Sequence, residues 1–294
     1  MTKDRRTEAL WLLMTIVPES AVAAFSSVLE EDAAALTVMD SSSGQRIEVL
    51  YGSEPDRNAL RVRMALLAAA LGIDPPVVTI APAPQKDWLR VVAQGVPQQK
   101  IARWLVGDIE ARANRPAGRY AVALDAATAF GSGTHPTTTG CLELLDRALR
   151  RGFLPERVAD IGCGSGILAL ACVRATRAAA VCVDNDRAAV RAARRNVRQS
   201  GFGGRLFVCH GCGYAPALVR AMAPYDAIMA NIFSSPLCAL AAQTAQNLRP
   251  GGLAFLSGML TSQTRTVIAA HRLQGFSLLD RWEKGGWAAL AFIR

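Results

Sequence analysis

The chain has 294 residues, 51% of them hydrophobic, and a net charge of +9, which is enough apolar material for two domains with real cores. Arg61, Arg63, Asp74, Asp160 and Arg174 interrupt the richest apolar stretches, so no segment reads as a bilayer-spanning helix. Seven cysteines, all after residue 140 and irregularly spaced, exclude a disulfide framework.

The start, MTKDRRTEALWLLMTIV, has the basic and apolar regions of a signal peptide, but Glu19, Glu30, Glu31 and Asp32 follow with no small-residue cleavage pattern. The expectation is a cytoplasmic, monomeric protein with no membrane attachment. Leu10 to Val17 is predicted as a strand, Ser20 to Glu31 as a helix, and Ala35 to Met39 and Arg46 to Tyr51 as strands around a Ser-Ser-Ser-Gly turn. Asp56 to Leu71 is apolar-periodic and stops at Gly72, and Val77 to Ala81 closes a β-α-β-β-α-β order. Residues 1–82 therefore read as a small ferredoxin-like α+β domain, an order that names no function by itself.

Residues 83–119 are irregular and rich in proline, and they read as a linker with a short helix near Gln98 to Trp104. From Tyr120 to the end, 120–294, strands alternate with helices. Strands are expected at Val158–Ile161, Ala180–Val183, Leu206–Cys209, Ala227–Asn231 and Leu253–Ser257, with helices at Gly166–Thr176, Arg187–Ser200 and Pro236–Leu248. That alternation predicts an α/β doubly wound, mostly parallel sheet. The tail GFSLLDRWEKGGWAALAFIR reads as a hairpin around Gly285-Gly286 that adds an antiparallel edge.

Val158-Ala159-Asp160-Ile161-Gly162-Cys163-Gly164-Ser165-Gly166 is a strand running into three glycines at alternate positions. The dinucleotide fingerprint needs a different spacing and a Walker loop needs a lysine, so neither phosphate site fits. Glycines are still required where a ligand approaches backbone closely. Asp184, at the tip of the next strand, is placed to accept hydrogen bonds from both hydroxyls of a ribose, whereas Asp186 reads as a helix N-cap. A glycine turn and a ribose acid without phosphate machinery point to S-adenosylmethionine. Asn231 ends the fourth strand, in Ala230-Asn231-Ile232-Phe233-Ser234-Ser235-Pro236-Leu237, at the carboxyl edge where an open sheet binds ligands. Its carbonyl can orient an incoming amine. No general base is assigned; His135 sits before Pro136 in a lid-like loop and reads as shaping that loop. Cys209-His210-Gly211-Cys212 is a single CxxC, too few ligands for structural zinc, and no metal is expected.

From about Ala121 to the C-terminus the chain resembles the ribosomal protein L11 methyltransferase family, class I S-adenosylmethionine-dependent protein lysine methyltransferases with a Rossmann-like sheet. AFGSGTHPTT at residues 129–138, DIGCGSGILALA, ANIFSSPL, LRPGG, and LSGML followed by Gln263 carry the resemblance. It implies cofactor contacts at Thr138, Gly162, Gly164, Asp184 and Asn231, and a small N-terminal domain that captures the substrate. Ser132, Phe233-Ser234 and Gly285-Gly286 depart from the family's usual residues. The implied reaction is methylation of lysine side-chain or N-terminal amines of a protein, with ribosomal protein L11 as the target, free or on the ribosome.

A nucleic-acid methyltransferase is the alternative, invited by a positive excess that lies wholly after residue 120, where 19 basic residues face 10 acidic ones. Amino-methylating enzymes acting on bases carry an Asn/Asp-Pro-Pro-aromatic strand end, which Asn231-Ile232-Phe233 lacks. Arg187, Arg191, Arg194 and Arg198 fall on one side of a predicted helix, opposite Val190, Ala193 and Val197. Such a face suits nucleic acid or an acidic partner, but 29 of the 33 basic residues are arginine, so the face is read as solvated, with nucleic-acid contact allowed and not favoured.

Overall fold

The computed structural model describes residues 11–30, 33–41, 43–83, 98–107, 117–124 and 135–294, which fall into two compact units, residues 1–86 and 87–294. Among the described residues no helix is long and apolar enough to cross a membrane.

The first unit runs β1 (Trp11–Val17), α1 (Val22–Leu29, after a 3-10 turn), β2 (Ala33–Ser41), β3 (Gly44–Tyr51), α2 (Arg57–Leu71) and β4 (Val78–Pro82). Its antiparallel strands lie in the order β2-β3-β1-β4, the ferredoxin-like arrangement expected from the element order. Alternation along β1 and β3 sends Leu13, Val17, Ile47 and Val49 to a core shared with Phe25, Leu29, Leu60 and Met64. The other face carries Leu12, Met14 and Leu50, half-buried, and the exposed Ile16. Helix α2 starts where the Asp56 carboxylate accepts from Asn58 N and Ala59 N, at 2.9 and 3.0 Å, and ends at Gly72 with φ +67°, a left-handed cap that glycine adopts without strain.

In the second unit, β5 (Gln99–Ile101) and β6 (Trp104–Gly107) form an antiparallel hairpin, and β7 (Tyr120–Ala123) lies parallel to β6. The helix expected near Gln98 to Trp104 is therefore a hairpin, turning at Ala102 with φ +46°. The reason is burial: Trp104, Leu105 and Val106 are consecutive and all inaccessible, a pattern a surface helix cannot produce. The Trp104 indole N–H donates to Ala171 O at 3.1 Å, so the ring is buried without an unpaired donor.

The main sheet has seven strands, β8 (Arg157–Ile161), β9 (Ala179–Asp184), β10 (Leu206–His210), β11 (Tyr225–Asn231), β12 (Leu248–Leu260), β13 (Ser277–Lys284) and β14 (Trp287–Ile293), in the order β10-β9-β8-β11-β12-β14-β13. The first five are parallel; β14 and β13 form the antiparallel hairpin expected of the tail. Helices α3 (Pro136–Arg150), α4 (Ile167–Ala175) and α5 (Arg187–Ser200) bury Leu142, Leu170 and Val197 in the core on one face. On the other face α6 (Ala217–Met222), α7 (Ser234–Ala239), α8 (Ala241–Asn247) and α9 (Thr264–Arg272) contribute Val219, Leu237, Ala245 and Val267. The sheet is thus doubly wound, as the alternation predicts. The helix expected over Pro236–Leu248 is instead α7 and α8, broken at Leu240, and Leu248 already pairs with Tyr225 as the start of β12. That strand runs through the Pro250-Gly251-Gly252 turn signal because Gly251 N donates to Arg294 O and Arg294 N to Gly252 O.

All seven cysteines are free, and Cys141, Cys163, Cys172 and Cys182 are buried among apolar neighbours. His271 is also buried: its ring stacks on Phe292 at 5.1 Å, meets Phe276 edge-on at 5.5 Å, and its Nδ1 hydrogen-bonds Val267 O at 2.8 Å. Burial lowers its pKa, and the Val267 carbonyl opposes this in part. A depressed histidine pKa means that stability is full above the unfolded value of about 6.5 and falls as pH drops towards the folded value, by up to about 1.4 kcal/mol per pH unit. Asp160, whose pKa is raised, titrates in the opposite sense. Replacing His271 by Phe should therefore flatten the acid-side loss relative to wild type, measured as the difference between the two denaturant midpoints from pH 7.5 to 5. Parallel curves would show that His271 does not titrate on unfolding.

Candidate cofactor site

Strand β8 is where the winding reverses, since the chain moves from β8 to β9 to β10 on one side and then returns to β11 on the other. Such a switch point opens a crevice at the carboxyl ends of the strands. Ile161 pairs with Val183 in β9 and with Ala230 in β11. The next residues, Gly162, Asp184 and Asn231, consequently stand side by side at the carboxyl edge of the sheet, with neighbouring strands about 4.8 Å apart.

The glycine turn is held by backbone bonds. Gly162 N and Cys163 N both donate to Val183 O, at 2.9 and 3.1 Å, and Gly166 N donates to Cys163 O at 2.8 Å. Gly162, Gly164 and Gly166 have φ of +68°, +54° and +78°. A Cβ on Gly162 would lie 2.3 Å from Ile232 Cγ2, whereas one on Gly164 would meet nothing within 4 Å. Gly162 is thus required by packing, and Gly164 leaves open space above the turn. From the opposite side, a Cβ on Gly258 would fall 2.3 Å from Ile232 O, and Ile232 N donates to Ser257 O at 3.1 Å. Two glycines on flanking strands therefore clamp the residue after Asn231.

Asp184 folds back onto the turn. One carboxylate oxygen accepts from Gly164 N and the other from Asp186 N, each at 2.9 Å. Each oxygen keeps a further lone pair. Asp186 caps α5 by accepting from Ala188 N and Ala189 N, as the sequence reading expects. Asn231 lies opposite, and its Nδ2 donates to Thr138 Oγ1 at 3.3 Å, so two residues far apart in the chain meet at the crevice. Thr138 is in the first turn of α3, buried. Of AFGSGTHPTT, residues 129–134 lie outside the described residues, so the loop-over-cofactor expectation bears only on His135 to Thr138.

His135 caps α3. Its Nδ1 accepts from Thr137 N at 3.4 Å and lies 2.7 Å from Thr137 Oγ1, and its ring meets Trp287 edge-on at 4.6 Å. Burial lowers its pKa, which keeps it neutral. Its role in the structure is to start the helix that carries Thr138.

Asp160 escapes the sequence reading, where it counts only as a charge interrupting an apolar run. It is 1% exposed, in the last residues of β8 beneath the glycine turn. One oxygen accepts from Ala169 N, in the first turn of α4, at 3.1 Å, and the other has no partner. Burial pushes its pKa up to about 7; the Ala169 N–H pulls it down and the Asp184 charge adds to the rise. The local signal was available: an acid in an otherwise apolar strand, directly before a glycine turn. A buried carboxylate with a vacant lone pair, open space over Gly164 and unused acceptors on Asp184 fit a cationic ligand that carries a ribose. Among the described residues no cluster of His, Cys, Asp and Glu has the geometry to hold a metal ion; Cys212 of the CxxC is exposed and Cys209 Sγ reaches Cys182 O at 3.6 Å.

The family model described as ribosomal protein L11 methyltransferase (PrmA) matches residues 1–294. A ribosomal protein L11 methyltransferase of Rhodopseudomonas palustris (strain BisB5) is 35% identical over 249 residues, covering 84% of this chain and 83% of the relative. One from Mesorhizobium japonicum is 30% identical over 276 residues, covering 94% of both. Among solved structures, the ribosomal protein L11 methylase of Lactobacillus delbrueckii subsp. bulgaricus aligns with a TM-score of 0.58 at 24% identity, over 66% of this chain and 96% of that one, which shows a common fold.

The clamp on Ile232 generates a test with an internal control. Gly162→Ala and Gly258→Ala should each destabilise the second unit by about 1–3 kcal/mol through overpacking, with added cost from the positive φ. Adding Ile232→Ala should recover a good part of the first loss, because its clash is with a side chain. It should recover none of the second, because that clash is with backbone. Equal rescue in thermal melts of the two double variants would contradict the clamp.

Proposed function

The chain belongs to the ribosomal protein L11 methyltransferase family, and on that premise we propose that it transfers methyl groups from S-adenosylmethionine to lysine side-chain or N-terminal amines of ribosomal protein L11. The observation that carries this reading is the adjacency of Gly162, Asp184 and Asn231 at the ends of three neighbouring strands. When bound, S-adenosylmethionine supplies an electrophilic methyl group on a sulfonium. Gly164, with open space where a side chain would stand, lets the ligand approach the backbone, and Gly162 meets it through main-chain atoms. Asp184 uses the lone pairs left after Gly164 N and Asp186 N to accept the ribose hydroxyls. Asp160, whose pKa burial raises to about 7, would be driven to its charged form by a cationic ligand above it.

The attacking amine must be neutral, although a free lysine has a pKa of about 10.4. Binding it in a desolvated crevice favours the neutral form. The Asn231 amide is held by its bond to Thr138, which leaves the Asn231 side-chain oxygen to accept an N–H and aim the nitrogen lone pair. No residue is needed as a strong base, and His135, neutral and committed through Nδ1 to the cap, is not one. The small unit takes the role of substrate capture; the partly apolar open face of its sheet, around Leu12, Met14, Ile16 and Leu50, supports that assignment. Because the substrate is a ribosomal component, the site of action is cytoplasmic.

Incubating the enzyme and labelled cofactor with ribosomal protein L11, with ribosomes and with deproteinised rRNA should label the protein in the first two mixtures and leave the third unlabelled; label in rRNA would overturn the reading. Asp184→Ala should weaken binding of S-adenosylhomocysteine about 100-fold in calorimetry, the loss expected for two hydrogen bonds to a charged acceptor. Retained tight binding would refute the ribose role. Ile16→Asp should raise KM for L11 while leaving cofactor affinity unchanged, and an unaltered KM would remove the open sheet face from substrate capture.

A further inference from the structure

Helix α5 carries a stripe of arginine that the methyl-transfer site does not use. Arg187, Arg191, Arg194 and Arg198 are exposed, and Val190, Ala193 and Val197 on the opposite side are buried. At 1.5 Å per residue the stripe runs about 16 Å along the helix. Between Arg174 and His210 there are eight arginines and two acids, and both acids are already engaged: Asp184 on the glycine turn, Asp186 on the α5 cap. Among the described residues Arg187, Arg191 and Arg198 form no ion pair; the ion pairs of this unit gather around Asp146, Asp226, Asp280 and Glu283. Arg194 reaches Val208 O at 3.2 Å, a neutral acceptor.

The arrangement works against the helix itself. Arg187 occupies the first position of α5, where the helix dipole disfavours a cation, and Arg187 with Arg191 and Arg194 with Arg198 are like charges one turn apart. A solvated face chosen for helix stability would alternate signs. At the far end of the stripe, just past the Gly201 cap, the guanidinium groups of Arg174 and Arg205 lie over the Phe202 ring at 4.5 and 5.2 Å. Arg205 also donates to the neutral carbonyls of Thr176 and Ala178, and the two guanidiniums carry the positive charge of the row past the end of the helix.

We propose that this face docks an RNA phosphate backbone, as a binding surface distinct from the methyl-transfer site. Guanidinium forks pair with phosphate oxygens, and a straight row of them at steps of about 4.5–6 Å along the helix suits the regularly repeated charge of a nucleic-acid backbone. Besides the arginines, the exposed positions of α5 are only Ala188 and Gln199, with no large apolar group to enter a lipid surface. The inference does not depend on which protein is methylated.

The test uses the full chain and a fluorescently labelled RNA duplex of about 20 base pairs, with anisotropy read across a salt series from about 50 mM. Arg191→Gln with Arg198→Gln should weaken binding at least about 10-fold and reduce the slope of log K against log salt by about two. Arg265→Gln with Arg272→Gln removes the same charge from exposed positions of α9 and should change affinity less than about twofold if the α5 face is the site. Wild-type protein should also prefer the duplex to polyglutamate and to anionic phosphatidylserine vesicles, a comparison that needs no variant. Undetectable RNA binding by wild type, equal weakening in both double variants, or preference for polyglutamate or vesicles would each overturn the proposal. Melting temperature and S-adenosylhomocysteine affinity serve as controls that both variants stay folded.

Discussion

One isoleucine is fitted between the ends of β8 and β11 and the backbone of β12. Ile232 follows Asn231 and fits only because Gly162 on one flanking strand and Gly258 on the other have no side chain. The contact is a matter of volume: cores pack at nearly crystalline density, and an added methyl at 2.3 Å must displace something. Both glycines also hold positive φ, so each is required twice, for space and for conformation. With Ile232 in place, Asn231 stands at the carboxyl edge of the sheet beside the glycine turn and its amide reaches Thr138 at 3.3 Å. The placement of a polar group at the crevice thus depends on an apolar fit one residue further on.

Beneath this clamp the structure keeps an acid where burial opposes its charge. Asp160 has one backbone N–H for compensation, less than a buried carboxylate needs to ionise freely, and its pKa of about 7 reflects that shortfall. An apolar residue at this position of β8 would avoid that burial cost but would leave the Ala169 N–H in the first turn of α4 without its acceptor. Asp184 is the complement: its two oxygens are satisfied by Gly164 N and Asp186 N, which fixes the carboxylate before any ligand arrives. A preorganised acceptor loses less freedom on binding than a mobile one.

Local signals made much of this legible. The glycine turn, the acid at the end of β9, the caps at Asp56 and Asp186 and the stop at Gly72 are each written within a few residues, and so is the Gly285-Gly286 hairpin. What escaped depends on distant partners. The stretch from Gln98 to Trp104 reads as a short helix until α4 is known to lie over Trp104 and supply Ala171 O to the indole. Leu248 reads as the end of a helix until Tyr225 is known to pair with it, and the Pro250-Gly251-Gly252 turn is drawn into a strand by the last residue of the chain. The glycines of the turn are visible in the sequence, but which of them is needed for packing and which leaves space is decided by Ile232, a neighbour that no window around residue 162 contains.

Charge poses a problem that geometry resolves. A protein of net charge +9 must accept a cationic cofactor, which its overall field repels. At physiological salt that field is screened over about 8 Å, so what matters is the charge within that distance of the reacting atoms. There the local sign is reversed: Asp184 contacts the glycine turn itself, and Asp160 lies beneath it, buried where a bound cation favours its charged form. The arginines of α5 project from exposed positions on the far side of Val190, Ala193 and Val197, into solvent that screens them. Burial of the acids and exposure of the cations therefore let one unit carry a negative crevice and a positive surface, each effective only over its own range.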